Sequence, residues 1–187
     1  MRSIALAVGC LLAVPGIATG GARPATILVV GDSLATGLRP TLEPLLAPRS
    51  VVWDVDAGRT TPEGLVRLRT RLREATPRAV LISLGTNDGP HADRFRDRIH
   101  RALRAIPAGA CIVWADLDRP ARKGPYRPLN AELVRAARHD ARLRIVHWHR
   151  AVAAHRVNLP DGIHPDTAGF DYRSRLFAHA LARCDDV

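Results

Sequence analysis

Four short polar segments hold the residue types that acyl transfer needs: Gly31-Asp32-Ser33-Leu34, the glycine of Asp56-Ala57-Gly58, Gly85-Thr86-Asn87-Asp88, and Asp161-Gly162-Ile163-His164. A serine hydroxyl becomes a good nucleophile when a base takes its proton, and a carboxylate can orient a histidine for that task. Backbone N–H groups and a side-chain amide can stabilise the oxyanion that then develops. Together the segments supply a nucleophile, a base, an orienting carboxylate and oxyanion donors.

Strands and helices that alternate along the chain are needed to position these segments. Apolar runs predict strands at residues 26–30, 51–55, 79–84, 110–115 and 143–148, and amphipathic runs predict helices at residues 33–46, 61–75, 92–106, 129–138 and 165–182. We expect the first helix to be interrupted near Pro40 and Pro44, and Thr61 to cap the second. Residues 116–128 contain three prolines and a glycine, which predict a long loop.

This alternation predicts an α/β fold with a parallel sheet covered on both faces. We expect a three-layer α/β/α sandwich of flavodoxin-like arrangement with about five parallel strands. The loops after parallel strands open at one edge of the sheet. The first three polar segments should therefore meet there, with the fourth in the loop before the last helix.

In order and spacing, the four segments resemble those of the SGNH hydrolases, also called the GDSL esterase/lipase family. The resemblance covers essentially residues 23–187, and it implies the fold expected above. The Gly58-Arg59 loop is also similar to SGNH domains attached to bacterial membrane acyltransferases. The Gly-x-Ser-x-Gly elbow typical of α/β-hydrolases does not occur in the sequence.

The resemblance implies a role for each matching residue. Ser33 would be the nucleophile, His164 the general base, and Asp161 the carboxylate that orients or supports His164. The backbone N–H groups of Ser33 and Gly58 and the side-chain amide of Asn87 would form the oxyanion hole. We expect no metal and no cofactor, because serine chemistry needs neither.

Simpler interpretations remain open for several of these residues. Gly31-Asp32-Ser33 can be only a turn with a helix cap, and Asn87 with Asp88 can form an Asx turn. We expect structural roles for Asp32 and Asp88. Arg59 could bind an anionic or sugar substrate, or it could lie solvated on the surface.

A histidine pair near the end of the fifth predicted strand suggests a metal site. His147 and His149 would point to one face if the strand continued, with Asp161 nearby. No further ligand belongs to a recognisable motif, so we expect no metal there.

The first 22 residues have the pattern of a signal peptide. Arg2 precedes an apolar stretch at residues 4–14, and small residues follow at 16–22. The alternative is a buried N-terminal element. We expect residues 23–187 to form one domain that is secreted or held in the periplasm or cell envelope, with no membrane-spanning segment. Export leaves Cys111 and Cys184, which could form one disulfide or stay as two thiols.

The composition limits the possible partners. The net charge of +10 comes almost entirely from arginine, and the single lysine is Lys123. The arginines are scattered and aromatic residues make up only 4% of the chain, so we expect no nucleic-acid partner. A hydrophobic fraction of 47% is ordinary for a globular protein.

The function we predict is a secreted serine hydrolase that cleaves carboxylic esters through an acyl-enzyme. Its substrate would be a small or saccharide-linked ester with a short acyl or acetyl group. One alternative is an acyltransferase that uses the same residues. Another is a non-catalytic protein that binds anionic polymers through its basic surface. The oligomeric state is left open.

Overall fold

The computed structural model describes residues 26–184, so the predicted signal peptide at residues 1–22 lies outside the described residues. The strands are β1 (Thr26–Gly31), β2 (Ser50–Val55), β3 (Ala79–Ser83), β4 (Cys111–Ala115) and β5 (Leu143–Val146). The helices are α1 (Ser33–Leu46), α2 (Thr61–Glu74), α3 (Ala92–Ala105), α4 (Arg127–His139), α5 (Trp148–Ala153) and α6 (Thr167–Ala182). A short 3₁₀ turn at Ala121–Lys123 lies in the loop before α4.

The five strands form one parallel sheet in the order β2-β1-β3-β4-β5. This is the flavodoxin-like order, so the predicted α/β architecture with about five parallel strands is confirmed. The chain leaves β1 toward β2 on one side and leaves β3 toward β4 on the other, which opens a crevice between the carboxyl ends of β1 and β3. Ligands bind at such a switch point in open α/β sheets.

Two apolar layers cover the sheet, because alternate strand residues point to opposite faces. On one face α2, α3 and α4 pack against a cluster that includes Val30, Ile82, Trp114, Ile99 and Leu133. On the other face α1 and α6 pack against a cluster that includes Val29, Leu81, Val113, Leu38 and Phe177. Because the central strands β1, β3 and β4 are buried on both faces, their carboxyl ends are held firmly at the edge where the polar loops begin.

The interruption predicted in the first helix does not occur. Helix α1 runs without a break through Pro40 and Pro44. Both prolines lie four residues apart on the exposed side, while Leu38 and Leu42 on the opposite side are fully buried. Water can satisfy the carbonyls that lose their N–H partners there, and burial of the apolar side holds the helix together.

The start of α2 and the end of β5 also differ from the predicted boundaries. The residue that caps α2 is Thr60, not Thr61, because the Thr60 N–H donates to Glu63 Oε2 at 2.8 Å and only Thr60 has the three-residue spacing of a capping box. Strand β5 ends at Val146, and Trp148 already begins the short helix α5.

The amino ends of the strands carry a covalent link on the side opposite the polar loops. Cys111 at the start of β4 and Cys184 after α6 form a disulfide, with 5.7 Å between their Cα atoms. Of the two alternatives left open above, the structure therefore contains the disulfide. Within residues 26–184, none of the helices is both long enough and apolar enough to span a membrane.

Candidate active site

A chain of hydrogen bonds joins the three residues that were predicted to form a triad. Ser33 Oγ lies 2.8 Å from His164 Nε2, and His164 Nδ1 lies 2.7 Å from Asp161 Oδ2. Ser33 and His164 are 131 residues apart in sequence, so only the fold brings them together. The hydroxyl, the imidazole and the carboxylate have the connectivity by which a base activates a serine.

The turn from β1 into α1 presents the serine. Ser33 is the first residue of α1, and Asp32 caps the helix by accepting the Leu34 N–H at 3.0 Å. A Cβ on Gly31 would lie 2.3 Å from the Ala35 Cβ and 3.0 Å from the backbone oxygen of Ser83. Only glycine therefore lets the chain pass this closely between α1 and β3 before it reaches the serine.

A tight turn before α6 fixes the orientation of the histidine. Asp161 Oδ1 accepts the backbone N–H groups of Ile163 at 2.9 Å and His164 at 2.7 Å, which leaves Oδ2 for the imidazole. The hydrogen bond from the His164 side chain and the two backbone N–H groups hold the pKa of Asp161 well below its usual range. Asp161 is therefore ionised at neutral pH, which places a negative charge beside the His164 ring.

The predicted oxyanion donors come from three loops that contact one another. The Asn87 Nδ2 atom lies 3.3 Å from the backbone oxygen of Arg59 and 3.5 Å from Asp32 Oδ2. The Asp56 N–H donates to the backbone oxygen of Gly31 at 3.2 Å, which joins the second loop to the serine turn. The segments after β1, β2 and β3 thus meet at the switch point of the sheet.

Two backbone N–H groups at this point are free to bind an anion. Within residues 26–184, neither the Ser33 N–H nor the Gly58 N–H donates to a protein acceptor. Gly58 has a φ of 75°, a conformation that favours glycine, and a Cβ at this position would meet no atom within 4 Å. The backbone conformation, rather than lack of space, explains a glycine here.

A buried arginine lies beneath the serine turn. Burial raises the pKa of Asp32 to about 6, although the charge of Arg173 and the Leu34 N–H both oppose the shift. Burial also lowers the pKa of Arg173 to about 10, while Asp32 and Asp116 act to raise it. The Arg173 guanidinium lies 4.5 Å from the centroid of the Trp148 ring. Asp32 is thus a buried helix cap that interacts with a buried cation, which favours the structural role predicted for it.

Arg59 is mostly buried rather than solvated on the surface, and its contact with a substrate remains a prediction. Its side chain is only 9% exposed, and its Nη1 atom lies 3.0 Å from Asp54 Oδ1 and 3.3 Å from the backbone oxygen of Gly31. The predicted surface position is wrong, and the guanidinium is already occupied by Asp54. This placement favours a structural role for Arg59, namely joining the second loop to the end of β1, over contact with a substrate.

Asp88 likewise stabilises the framework around the site. Its side chain is fully buried, accepts the Thr61 N–H at 2.8 Å and pairs with Arg98 at 2.7 Å. One carboxylate therefore joins the start of α2 to α3. Its neighbour Asn87 is the residue that reaches the site.

Arg119, which belongs to no sequence motif and was not predicted as a site residue, holds the third loop in place. Arg119 is 3% exposed, and its guanidinium donates to five backbone oxygens, those of Gly85, Thr86, Asp88, Gly124 and Pro125. The following 3₁₀ turn brings two further cations to the rim. Arg122 donates to the backbone oxygen of Asp161 at 3.1 Å, and Lys123 donates to Asn87 Oδ1 at 3.4 Å.

A shallow hollow adjoins the predicted oxyanion glycine. It has a volume of about 440 Å³ and is lined by Asp56, Ala57, Gly58, Arg59, Glu63, Val66 and Arg67. Charged and small side chains dominate this lining. At the catalytic rim, the side chains of His164 and Asp161 are 41% and 54% exposed, so a bulky substrate can reach them.

The predicted histidine pair is brought together on a different carboxylate from the one expected. His147 and His149 both lie against Asp116, not Asp161, because β5 ends before them and the chain turns into α5. Ligand atoms of these three residues lie within 4.8 Å of one another.

A sequence model of the GDSL-like lipase/acylhydrolase family matches residues 29–172, a range that includes the serine, the asparagine and the histidine described above. Esterase TesA of Pseudomonas aeruginosa is 32% identical to this chain over 141 residues, which are 67% of this chain and 69% of the esterase.

Solved structures share the fold at lower identity. The C-terminal catalytic domain of peptidoglycan O-acetyltransferase A from Streptococcus pneumoniae has a TM-score of 0.73 at 19% identity, covering 89% of this chain and 97% of that domain. A family 3 carbohydrate esterase from Clostridium thermocellum has a TM-score of 0.71 at 16% identity, covering 88% of this chain and 98% of the esterase. These TM-scores establish a common fold.

Proposed function

The chain belongs to the GDSL-like lipase/acylhydrolase family, and within it we propose a secreted serine esterase that cleaves short-acyl or acetyl carboxylic esters. The observation that carries this proposal is the hydrogen-bonded series from Ser33 through His164 to Asp161, with contacts of 2.8 and 2.7 Å. No other arrangement of a nucleophile with a base is needed to explain ester cleavage.

In the proposed mechanism, the Ser33 hydroxyl attacks the ester carbonyl while His164 Nε2 takes its proton. Asp161 stabilises the imidazolium that results. The oxyanion of the tetrahedral intermediate accepts from the Ser33 and Gly58 N–H groups and the Asn87 amide. When the intermediate collapses, the alcohol leaves with the proton from His164. Water, activated by His164, then hydrolyses the acyl-serine and releases the acid.

The hollow beside Gly58 supports a short acyl group. A long alkyl chain gains free energy by burial against apolar surface, at about 0.8 kcal/mol per CH₂ group. Val66 is the one large apolar side chain that lines this hollow, and the other lining residues are charged or small. The exposed rim at His164 also suits an ester carried on a larger molecule, such as a saccharide.

Two observations support export. Residues 1–22 have the signal-peptide pattern, and Cys111 is joined to Cys184. Disulfides persist in oxidising compartments outside the cytoplasm. We therefore propose that the protein acts in the cell envelope or outside the cell.

Hydrolysis of p-nitrophenyl acetate and p-nitrophenyl octanoate tests the proposed activity. We expect the wild type to hydrolyse acetate with the higher kcat/KM, and Ser33→Ala to lose at least about 1,000-fold in kcat. Ser50→Ala, at an exposed position on β2, is the matched control and should keep wild-type activity. Equal activity in Ser33→Ala and the wild type would reject Ser33 as nucleophile, and a preference for octanoate would reject the short-acyl proposal.

An acyltransferase is the second candidate, favoured by the exposure of the His164 side chain, since an acceptor alcohol can approach as readily as water. Both reactions share the acyl-enzyme. Mass spectrometry of the products from p-nitrophenyl acetate with an oligosaccharide acceptor separates them. Acetylated oligosaccharide in excess over free acetate would favour transfer, and acetate alone would favour hydrolysis.

A further inference from the structure

A second constellation of ionisable side chains lies at the carboxyl ends of β4 and β5, outside the proposed catalytic series. His147 Nδ1 and His149 Nδ1 lie 3.1 and 2.6 Å from Asp116 Oδ2. Because β3 separates β1 from β4, this group is two strands, or about 10 Å, along the sheet edge from the serine turn.

Backbone hydrogen bonds and a buried tryptophan fix the positions of these three residues. Asp116 directly follows β4, and its N–H donates to the backbone oxygen of Val146 at 2.9 Å. The fully buried Trp148 separates the two histidines and starts α5, so the backbone bends between them. The His149 N–H donates to Asp116 Oδ1 at 2.8 Å, which holds the carboxylate at the bend.

The donor atoms suit a first-row divalent transition metal. Two imidazole nitrogens and one carboxylate oxygen are ligands that such ions accept at about 2.0–2.2 Å. Neighbouring donors around a tetrahedral ion of that size are about 3.3 Å apart. The nitrogen–oxygen spacings of 3.1 and 2.6 Å therefore need to widen by less than about 1 Å. The spacing between the two nitrogens is at most 4.8 Å and needs to narrow by no more than about 1.5 Å.

The charges and exposure of the group are also compatible with a bound cation. The His147 and His149 side chains are 39% and 34% exposed, whereas the Asp116 side chain is 1% exposed. An ion could enter from solvent and keep water on its open positions. Asp118 interacts electrostatically with both Asp116 and His149 and adds negative charge, while Arg173 opposes it from the buried side.

We propose that Asp116, His147 and His149 form a binding site for a divalent transition metal such as Zn²⁺, with water completing the coordination. Two nitrogen ligands select zinc, copper or nickel over magnesium or calcium, which prefer oxygen. The ion would join the ends of β4 and β5 to the start of α5. The site is separate from the proposed serine chemistry and does not depend on it.

Calorimetric titration of the metal-free full-length protein with ZnCl₂ tests the site. The protein is treated with EDTA and freed of chelator first. We expect one Zn²⁺ per chain to bind, and His147→Ala and His149→Ala each to weaken that binding at least 10-fold. His139→Ala, at an exposed histidine that ends α4, is the matched control and should bind as the wild type does. Binding that is equally tight in the wild type and both ligand variants, or no binding by the wild type, would overturn the proposal.

A second measurement needs no variant and so is independent of how the variants fold. Long-range ¹H–¹⁵N spectra of the histidine rings, recorded with and without Zn²⁺, report which ring nitrogens bind metal. We expect the Nδ1 signals of His147 and His149 to shift and those of His139 to stay. Shifts at neither His147 nor His149 would contradict the site, and MgCl₂ in place of ZnCl₂ should leave all signals unchanged.

Discussion

The Nη1 atom of Arg119 donates to the backbone oxygen of Asp88 at 2.6 Å, from the far side of the loop that carries Asn87. The same atom also lies 3.1 Å from the backbone oxygens of Gly85 and Thr86. One buried guanidinium therefore donates to three backbone oxygens of a single loop, those of the residues on both sides of Asn87 and of Gly85. The position of the proposed oxyanion amide depends on this side chain.

Arg119→Met is expected to damage both stability and activity. Methionine fills part of the space but donates no hydrogen bond, so several buried carbonyls lose their partner. We predict that the free energy of unfolding falls by about 2–4 kcal/mol and that kcat/KM falls at least 10-fold. Urea denaturation and ester hydrolysis measure the two effects. Arg138→Met, at an exposed position on α4, should change the free energy of unfolding by less than about 0.5 kcal/mol. Wild-type activity in Arg119→Met would contradict this role.

The raised pKa of Asp32 predicts that this residue makes the protein less stable as pH rises from 4 to 7. Its pKa is about 6 in the folded protein, above the ordinary 3.8, so the folded state binds this proton more tightly than the unfolded state. The resulting stability is fully present below pH 3.8 and is lost as pH rises through 6. Relative to Asp32→Asn, which cannot titrate, the wild type should therefore lose on the order of 2 kcal/mol between pH 4 and 7.

Urea denaturation of the wild type and of Asp32→Asn, at several pH values between 4 and 8, measures whether the wild type loses stability relative to the variant as pH rises. Other carboxyl groups, such as Asp161 with its lowered pKa, are present in both proteins and cancel in the difference. The difference should be constant above pH 7. A difference that is flat from pH 4 to 7, or that grows in favour of the wild type, would show that burial does not raise the pKa of Asp32.

Gly58 offers a test of the oxyanion loop with a close internal control. Gly58 and Gly109 are both exposed, and a Cβ at either meets no atom within 4 Å, but only Gly58 has a positive φ. Gly58→Ala should lower the free energy of unfolding by about 1 kcal/mol and reduce kcat by about 10-fold or more, because the N–H that faces the oxyanion shifts. Gly109→Ala should leave kcat unchanged. Equal kinetics in the two variants would remove Gly58 from the oxyanion hole.

The architecture followed from local patterns because the three central strands, β1, β3 and β4, are buried on both faces. Runs such as Ile27-Leu28-Val29-Val30 are apolar throughout, and the polar segments that end them mark the functional edge of the sheet. The boundaries that moved depended on tertiary packing. Burial of Leu38 and Leu42 holds α1 together through its prolines, and the bend at Trp148 ends β5 early.

The parts of the site that the sequence did not reveal are long-range contacts of single side chains. Arg119 lies in a loop with no motif, and its partners are more than 30 residues away for three of its five acceptors. Asp116 and His147 are far apart in sequence and share no motif, and only the pairing of β4 with β5 brings them together. Substrate contact was predicted for Arg59 because it follows Gly58 in sequence. Its ion pair with Asp54, a contact that the sequence does not reveal, instead determines the position of its side chain.

The most direct test of the account is to identify the residue that a serine-directed inhibitor modifies. The purified protein is treated with phenylmethylsulfonyl fluoride, digested and mapped by mass spectrometry, with His164→Ala treated in parallel. We expect one sulfonyl adduct per chain, located on Ser33, with loss of esterase activity in proportion to the adduct, and strongly slowed modification of His164→Ala. An adduct on a different residue that abolishes activity, or complete loss of activity with Ser33 unmodified, would contradict the assignment of Ser33 as the nucleophile.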